Sequence, residues 1–189
     1  MRFGPALVLA AALPLSAALA QTATVRPFHA VEVHGGGEVI LRHGTSQRVT
    51  LLKGDPKTAE IEVDSQGTLH LSPCARPLRC VWHTGPFEVE VVTPTITSVE
   101  AYGGGEARAE GAFPTQPNLK VRVYGGGEAD VKAIPAQKVE ADIRGGGAAR
   151  VHALETLVAD VRGGGDLHYW GHPHITSDVR GGGSIAPGD

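Results

Sequence analysis

Hydrophobic and polar residues alternate along most of the chain, and the alternation is organised around six Gly-Gly-Gly triplets. The triplets begin at Gly35, Gly103, Gly125, Gly145, Gly163 and Gly181. The last five are separated by 22, 20, 18 and 18 residues. A period near 20 residues is typical of an array in which equivalent segments stack on one another.

The residues on both sides of each triplet follow a period of two. Two residues before the first glycine, every repeat has an apolar residue: Val33, Ala101, Val123, Ile143, Val161 and Val179. Four residues after that glycine the same is true: Val39, Ala107, Ala129, Ala149, Leu167 and Ile185. The intervening positions are mostly polar. This period is that of a β-strand with one buried face, so the pattern predicts a strand on each side of every triplet.

The glycine triplets predict sharp corners between these strands. Glycine takes positive φ angles without steric cost, and it has no Cβ atom to hold neighbouring corners apart. We therefore expect an all-β fold: a β-solenoid or β-helix-like stack of strand–GGG corner–strand repeats with a narrow apolar core. The aromatic content of 5% agrees with a narrow core. Residues 151–161 have some helical propensity, but their register with the other repeats favours strands.

The repeats predict a single domain over residues 21–189. Within it, residues 96–186 carry the regular GGG repeats, and residues 28–95 form a less regular region with one triplet. Several alternating runs in this region are separated by turn signals such as Asp55-Pro56. We expect the region to pack on one end of the stack as a strand-rich cap, because an open end exposes unpaired backbone groups.

Residues 1–20 have the features of a secretory signal peptide. An apolar stretch follows Arg2 and ends at the small-x-small sequence Ala18-Leu19-Ala20. A transmembrane anchor is the alternative, but the stretch is short for a span and contains two prolines. The segment predicts an exported protein, located in the periplasm, at the cell surface or in the medium.

Cys74 and Cys80 are the two cysteines of the chain. Exported compartments are oxidising, so these residues are predicted to form a disulfide that closes a small loop. A metal or redox pair is the alternative, but the C-x2-C spacing typical of such pairs is absent.

The arrangement of these features resembles the head GIN domain family of bacterial exported proteins, which carries an autotransporter-adhesin label. The matching residues are Phe28, Val31, Val33 and Gly35–Gly37, followed by the stretch from Val99 to Ile185. Family members commonly have Gly-Ser-Gly at the corners, where this chain has Gly-Gly-Gly. The resemblance implies a β-solenoid of stacked strands and an adhesin-like role, and it brings no catalytic residues.

Each of the last three triplets belongs to a short charged motif, Asp-Ile/Val-Arg-Gly-Gly-Gly. Its charged members are Asp142, Arg144, Asp160, Arg162, Asp178 and Arg180. In a parallel stack they form an arginine column beside an aspartate column. One interpretation is mutual charge compensation on a solvated face, where each pair contributes little. The other is a recognition stripe for an anionic glycan or partner, because arginine forks suit carboxylates and phosphates.

Two further groups are candidates for metal binding. An acidic column follows the triplets at Glu38, Glu106, Glu128 and Asp166, interrupted by Ala148 and Ser184. Calcium-binding β-rolls use a nine-residue G-G-x-G-x-D repeat that this chain lacks. A histidine cluster at His168, His172 and His174 lies near Asp166; a polar surface loop is the alternative to metal ligation. We predict no metal and no cofactor.

The net charge of −3 and the absence of a lysine or arginine block argue against nucleic-acid binding. No Gly-Lys-Ser/Thr follows a triplet, which excludes a P-loop, and no catalytic constellation is found. We therefore expect a non-enzymatic, adhesin-like binding protein whose partner is an envelope or extracellular glycan or protein, with no membrane span in the mature chain. A periplasmic structural or regulatory protein is the first alternative. A carbohydrate-active enzyme on a β-helical scaffold is the second.

Overall fold

The computed structural model describes residues 21–74 and 85–189 of the 189-residue chain. Within these residues the regular structure consists of thirteen strands and contains no helix. The strands are β1 Gln21–Ala23, β2 Ala30–His43, β3 Arg48–Lys53, β4 Glu60–Val63, β5 Thr68–Ser72, β6 Glu88–Thr93, β7 Ser98–Glu110, β8 Gln116–Gly125, β9 Glu128–Gly145, β10 Ala148–Gly163, β11 Asp166–Trp170, β12 His174–Gly181 and β13 Ser184–Pro187.

The strands form one mixed sheet. Its main path has the order β1-β3-β6-β2-β7-β8-β9-β10-β11-β13; β5 also pairs with β2, β4 with β5, and β12 with β10. Among the described residues, 21–74 and 85–189, no pairing joins β1 to β13, so the sheet is not closed. The all-β prediction is confirmed, whereas the predicted β-solenoid with a separate N-terminal cap is wrong.

The difference arises in strands β3, β4, β5 and β6, which extend the same sheet instead of covering one end of a stack. Strands β5 and β6 both pair with β2 in parallel, whereas β3 runs antiparallel to β6 and β4 antiparallel to β5. Alternation shows which face of a strand is buried, but it does not determine the direction or the neighbours of that strand. Those depend on the connections between strands, which lie outside the regular repeat.

Strands β2, β7, β8, β9, β10 and β12 form a parallel ladder in which equivalent residues lie side by side. Each triplet is aligned with the next, as Gly125 is with Gly145 and Gly145 with Gly163. The backbone N–H of Gly146 donates to the carbonyl of Gly125 at 2.9 Å. Side chains at equivalent positions are therefore separated by one strand spacing, about 4.8 Å.

The apolar positions of the alternating pattern form the core. Val33, Val123, Ile143 and Val161 are fully buried, in agreement with the predicted inward face. Val179, the equivalent residue of β12, is 42% exposed because β12 is the last strand of this ladder. The segment with helical propensity, residues 151–161, lies within β10, so the expectation of a strand there is confirmed.

Two of the sequence predictions fall outside the described residues. Residues 1–20 and Cys80 are not among them, so the signal peptide and the Cys74–Cys80 disulfide stay predictions. In the part of the chain that the structure describes, no helix has the length and apolar character needed to cross a bilayer.

Candidate functional site

The position directly before each triplet faces outward, because it alternates with the buried residue beside it. The parallel register places these residues in one continuous row. Its members are His34, Tyr102, Tyr124, Arg144, Arg162 and Arg180. We call this row the ring–arginine column.

The aromatic half of the column is closely stacked. The rings of His34 and Tyr102 are 4.8 Å apart and almost parallel, with 6° between their planes. The rings of Tyr102 and Tyr124 are 5.1 Å apart. The guanidinium carbon of Arg144 lies 5.2 Å from the centroid of the Tyr124 ring, within the range of a cation–π interaction. Aromatic and cationic groups therefore form one uninterrupted surface strip.

The arginine half of the column is held by aspartates of the same strands. The pairs are Arg144 with Asp142 (Nε–Oδ1 3.1 Å, Nη2–Oδ2 2.9 Å), Arg162 with Asp160 (Nε–Oδ1 3.0 Å, Nη2–Oδ2 2.6 Å), and Arg180 with Asp178 (Nη2–Oδ2 2.7 Å). The two predicted charge columns thus lie side by side as ion pairs. Their part in ligand binding stays a prediction.

The paired arginines remain accessible. The exposed fractions of the Arg144, Arg162 and Arg180 side chains are 51%, 45% and 66%. A guanidinium has five N–H donors, and the aspartate of Arg144 or Arg162 accepts from only two of its nitrogens. The hydrogen bond to Asp142 raises the pKa of Arg144, and that to Asp160 raises the pKa of Arg162, so both stay cationic. Each arginine can therefore hold its aspartate and offer further donors to a ligand.

A buried carboxylate fixes the middle of the column. Glu100 is only 7% exposed, and it accepts hydrogen bonds from Ser98 Oγ at 3.0 Å, Tyr102 OH at 2.8 Å and Arg122 Nη1 at 2.8 Å. Burial and the contact with Glu100 raise the pKa of Tyr102, so its phenol stays neutral. The Tyr102 ring is therefore held in one orientation at the surface.

Two adjoining clefts run beside the column. The larger has a volume of about 410 Å³ and the smaller about 200 Å³. Lys120, Arg122 and Glu140 line both clefts, and Lys138 adds a third cation to the larger one. The hydrogen bond from Lys138 lowers the pKa of Glu140, so its carboxylate is ionised. Glu100, Asp142 and Asp160 also line these clefts, so the strip is bordered by a polar groove with charges of both signs.

The sequence motif includes the arginines of the column but not His34, Tyr102 and Tyr124. All three occupy the position before a triplet, so the alignment that revealed the arginine motif contained them. They were overlooked because the motif was defined by identical residues rather than by position. Arg122 was missed for the same reason, since it occupies the position of the motif's aspartate.

Three of the four members of the acidic column after the triplets, Glu38, Glu128 and Asp166, have polar partners on neighbouring strands. Arg108 pairs with Glu38, Arg150 pairs with Glu128, and the Ser184 hydroxyl lies 2.6 Å from Asp166 Oδ1. Neighbouring strands thus supply partners for these carboxylates.

The histidines near the C-terminus are not brought together, which leaves the alternative of a polar surface loop for them. Within residues 21–74 and 85–189, His168, His172 and His174 form no group at metal-ligand distances. A different set does: Glu32, His34 and His70 have ligand atoms that all lie within 4.8 Å of one another.

Comparison with known proteins identifies a family model that matches most of the chain. Residues 27–117 and 113–173 match the model described as "Putative auto-transporter adhesin, head GIN domain". No curated protein is significantly similar to the chain.

Solved structures of similar shape also exist. A crystal structure described as a "putative adhesin" from Bacteroides fragilis NCTC 9343 has a TM-score of 0.56 and 18% sequence identity, over 89% of this chain and 96% of the other. One described as a "putative cell adhesion protein" from Clostridium sporogenes ATCC 15579 has a TM-score of 0.46 and 15% identity, over 90% of this chain and 99% of the other. At 18% identity, the likeness to the Bacteroides fragilis protein shows a shared fold and nothing finer.

Proposed function

This chain belongs to the head GIN domain family, and on that basis we propose that it is an exported, non-enzymatic binding protein that attaches to an extended anionic polysaccharide. The observation that carries the proposal is the ring–arginine column. It combines stacked aromatic faces with accessible guanidinium groups along one exposed row. The adhesin description of the family supports a binding role.

The chemistry of the column fits an acidic sugar polymer. The partly exposed edges of the stacked tyrosine rings offer apolar contacts to sugar rings, and arginine forks form charge-assisted hydrogen bonds with carboxylate or sulfate groups. Equivalent side chains recur at one strand spacing of about 4.8 Å, so a linear polymer meets a new contact at each strand. Many weak contacts in a row then give useful avidity without a deep pocket.

A non-enzymatic role agrees with the state of the carboxylates along the column. Asp142 and Asp160 each accept two hydrogen bonds from an arginine, so both oxygens of each group already have a partner. Glu100 accepts three hydrogen bonds and is almost fully buried. None of these carboxyl groups is placed to deliver a proton to a glycosidic bond, which a hydrolase requires.

A second candidate is a periplasmic structural or regulatory protein without an external ligand. The observation that favours it is the pairing of each column arginine with an aspartate of its own strand, which compensates the charge locally. In that case the column only supports the surface of the sheet. Protease treatment of intact cells separates the two locations: digestion from outside places the protein on the surface, whereas protection until the periplasm is released favours the second candidate.

Binding of polygalacturonate, measured by isothermal titration calorimetry with neutral dextran as the reference polymer, tests the proposal. We expect Arg162→Gln and Tyr124→Ala each to weaken binding about tenfold, because the first removes a charge-assisted hydrogen bond and the second an apolar contact together with the ring that supports Arg144. Arg42→Gln is the matched control and should change the Kd less than about twofold, within the ordinary scatter of surface substitutions. The Arg42 side chain is also 45% exposed and also pairs with carboxylates, Glu90 and Glu110, but it lies outside the column.

The possible results separate the interpretations. Equal losses in Arg162→Gln and Arg42→Gln would indicate general electrostatic attraction rather than recognition by the column. An absence of binding by the wild-type protein to acidic polysaccharides would contradict the proposal and favour the structural role.

A further inference from the structure

One group of side chains at the β5–β2 end of the parallel ladder is not explained by the proposed function. Glu32 and His34 are two residues apart in β2, so both face outward from the same side of the strand. His70 of β5 is aligned with Glu32 by the parallel register of the two strands. Two imidazoles and one carboxylate therefore converge although His70 is distant in sequence.

The distances within this group are those of a metal site. Glu32 Oε2 lies 3.1 Å from His34 Nε2 and 3.1 Å from His70 Nδ1. All three ligand atoms lie within 4.8 Å of one another. A tetrahedral zinc ion with bonds of about 2.0–2.1 Å separates its ligand atoms by about 3.3 Å. Small side-chain rotations are therefore enough to place an ion between the three atoms.

The second nitrogen of His70 has the partner that a metal-binding histidine usually has. His70 Nε2 lies 3.2 Å from Asp64 Oδ2. The other oxygen of Asp64 accepts the backbone N–H groups of Gln66 at 2.8 Å and Thr68 at 2.9 Å, which holds the carboxylate in place. A carboxylate that accepts from the distal nitrogen fixes the tautomer and orientation of a ligating imidazole.

The His34 ring is held by stacking on both sides. Tyr102 stacks on one face with a centroid distance of 4.8 Å, and the His70 ring lies 6.0 Å away. The exposed fractions of the His34, His70 and Glu32 side chains are 41%, 27% and 22%. The three groups are therefore oriented by their surroundings yet remain accessible to an ion from solution.

We propose that Glu32, His34 and His70 bind a divalent transition-metal ion of the zinc class, with Asp64 positioning the His70 ring. Two imidazoles and one carboxylate are a ligand set that zinc accepts, and calcium or magnesium, which prefer oxygen ligands, would bind poorly. Three protein ligands leave one coordination position for water or for an acidic group of a bound partner. His34 also belongs to the ring–arginine column, but the test of the polysaccharide proposal uses Tyr124 and Arg162, so the two proposals can fail separately.

Titration of the full chain with ZnCl2 by isothermal titration calorimetry tests the site. We expect one-to-one binding with a Kd on the order of 1 µM, and weakening of at least about 100-fold in His70→Gln. Asp64→Asn should weaken binding about 10- to 100-fold, because the ligands remain but the His70 ring loses its orienting partner. His168→Gln is the matched control and should leave the Kd unchanged.

Circular dichroism and the Tm without zinc establish that each variant is folded. If His70→Gln fails to fold, Glu32→Gln removes a ligand from the other strand and gives the same test. Cobalt(II) added in place of zinc gives a second measurement that depends on ligation alone. A tetrahedral cobalt(II) site has a strong visible absorption band, and the ligand variants should lose this band. No zinc binding by the wild-type chain, or binding that disappears in His168→Gln but persists in His70→Gln, would overturn the proposal. If the wild-type chain binds no zinc, the group of Glu32, His34 and His70 is a network of ion pairs only.

Discussion

Replacing Gly145 by alanine is expected to lower the free energy of unfolding by about 3–5 kcal/mol, the sum of a backbone penalty and a steric one. Gly145 has a φ angle of +119°, a conformation that residues with a Cβ atom adopt only under strain. A Cβ atom built there would lie 2.5 Å from the carbonyl oxygen of Gly125 in the neighbouring triplet. That carbonyl cannot easily move away, because it accepts the N–H of Gly146 at 2.9 Å.

The middle glycine of the same triplet provides the control. A Cβ atom at Gly146 has no atom within 4 Å, so Gly146→Ala should change stability by less than about 0.5 kcal/mol. Urea unfolding followed by circular dichroism measures both variants. Similar small effects at the two positions would show that adjacent triplets are not packed as closely as the structure indicates.

Leu157→Ala is expected to cost about 3 kcal/mol of stability, because it removes a fully buried side chain and leaves a cavity. In the parallel ladder, Leu157 lies between Val139 of β9 and Ile175 of β12. These neighbours belong to separate strands with fixed backbones, so the cavity cannot close fully. Urea unfolding again gives the difference in free energy.

Leu154→Ala is the matched substitution for this second prediction. Leu154 is in the same strand, but its side chain is 38% exposed, so its loss should cost less than about 1 kcal/mol. Leu154 lies in the irregular stretch of β10 between Ala153 and Thr156, whereas Leu157 follows it and is fully buried. Equal costs would therefore contradict the difference in burial between the two leucines.

Much of the local structure was predictable because the alternation is strict. The burial of Val123, Ile143 and Val161 follows from a period of two, and so does the outward position of Arg144 and Arg162. The sheet as a whole was not predictable in the same way. Antiparallel pairs such as β3 with β6 depend on which strand ends the connections bring together, and no periodicity in residues 28–95 records this.

Some residues of the candidate sites were also predictable from the sequence, and others were not. Arg144, Arg162 and Arg180 were predictable because an identical motif surrounds each one. Tyr124 was not, because its strand has the same geometry but different residues. The Glu32–His70 contact was beyond sequence reasoning, since it depends on the register of β5 against β2.

The residue-by-residue alignment of neighbouring triplets has a consequence for how such a chain can evolve. Insertion of one residue within a strand would exchange its buried and exposed faces, whereas duplication of a whole 18-residue unit, such as that from Gly145 to Arg162, leaves every face unchanged. A gene can therefore lengthen or shorten the ladder in complete units without redesigning the core. Each added unit would bring one more residue to the ring–arginine column, so the proposed binding surface would lengthen with the coding sequence.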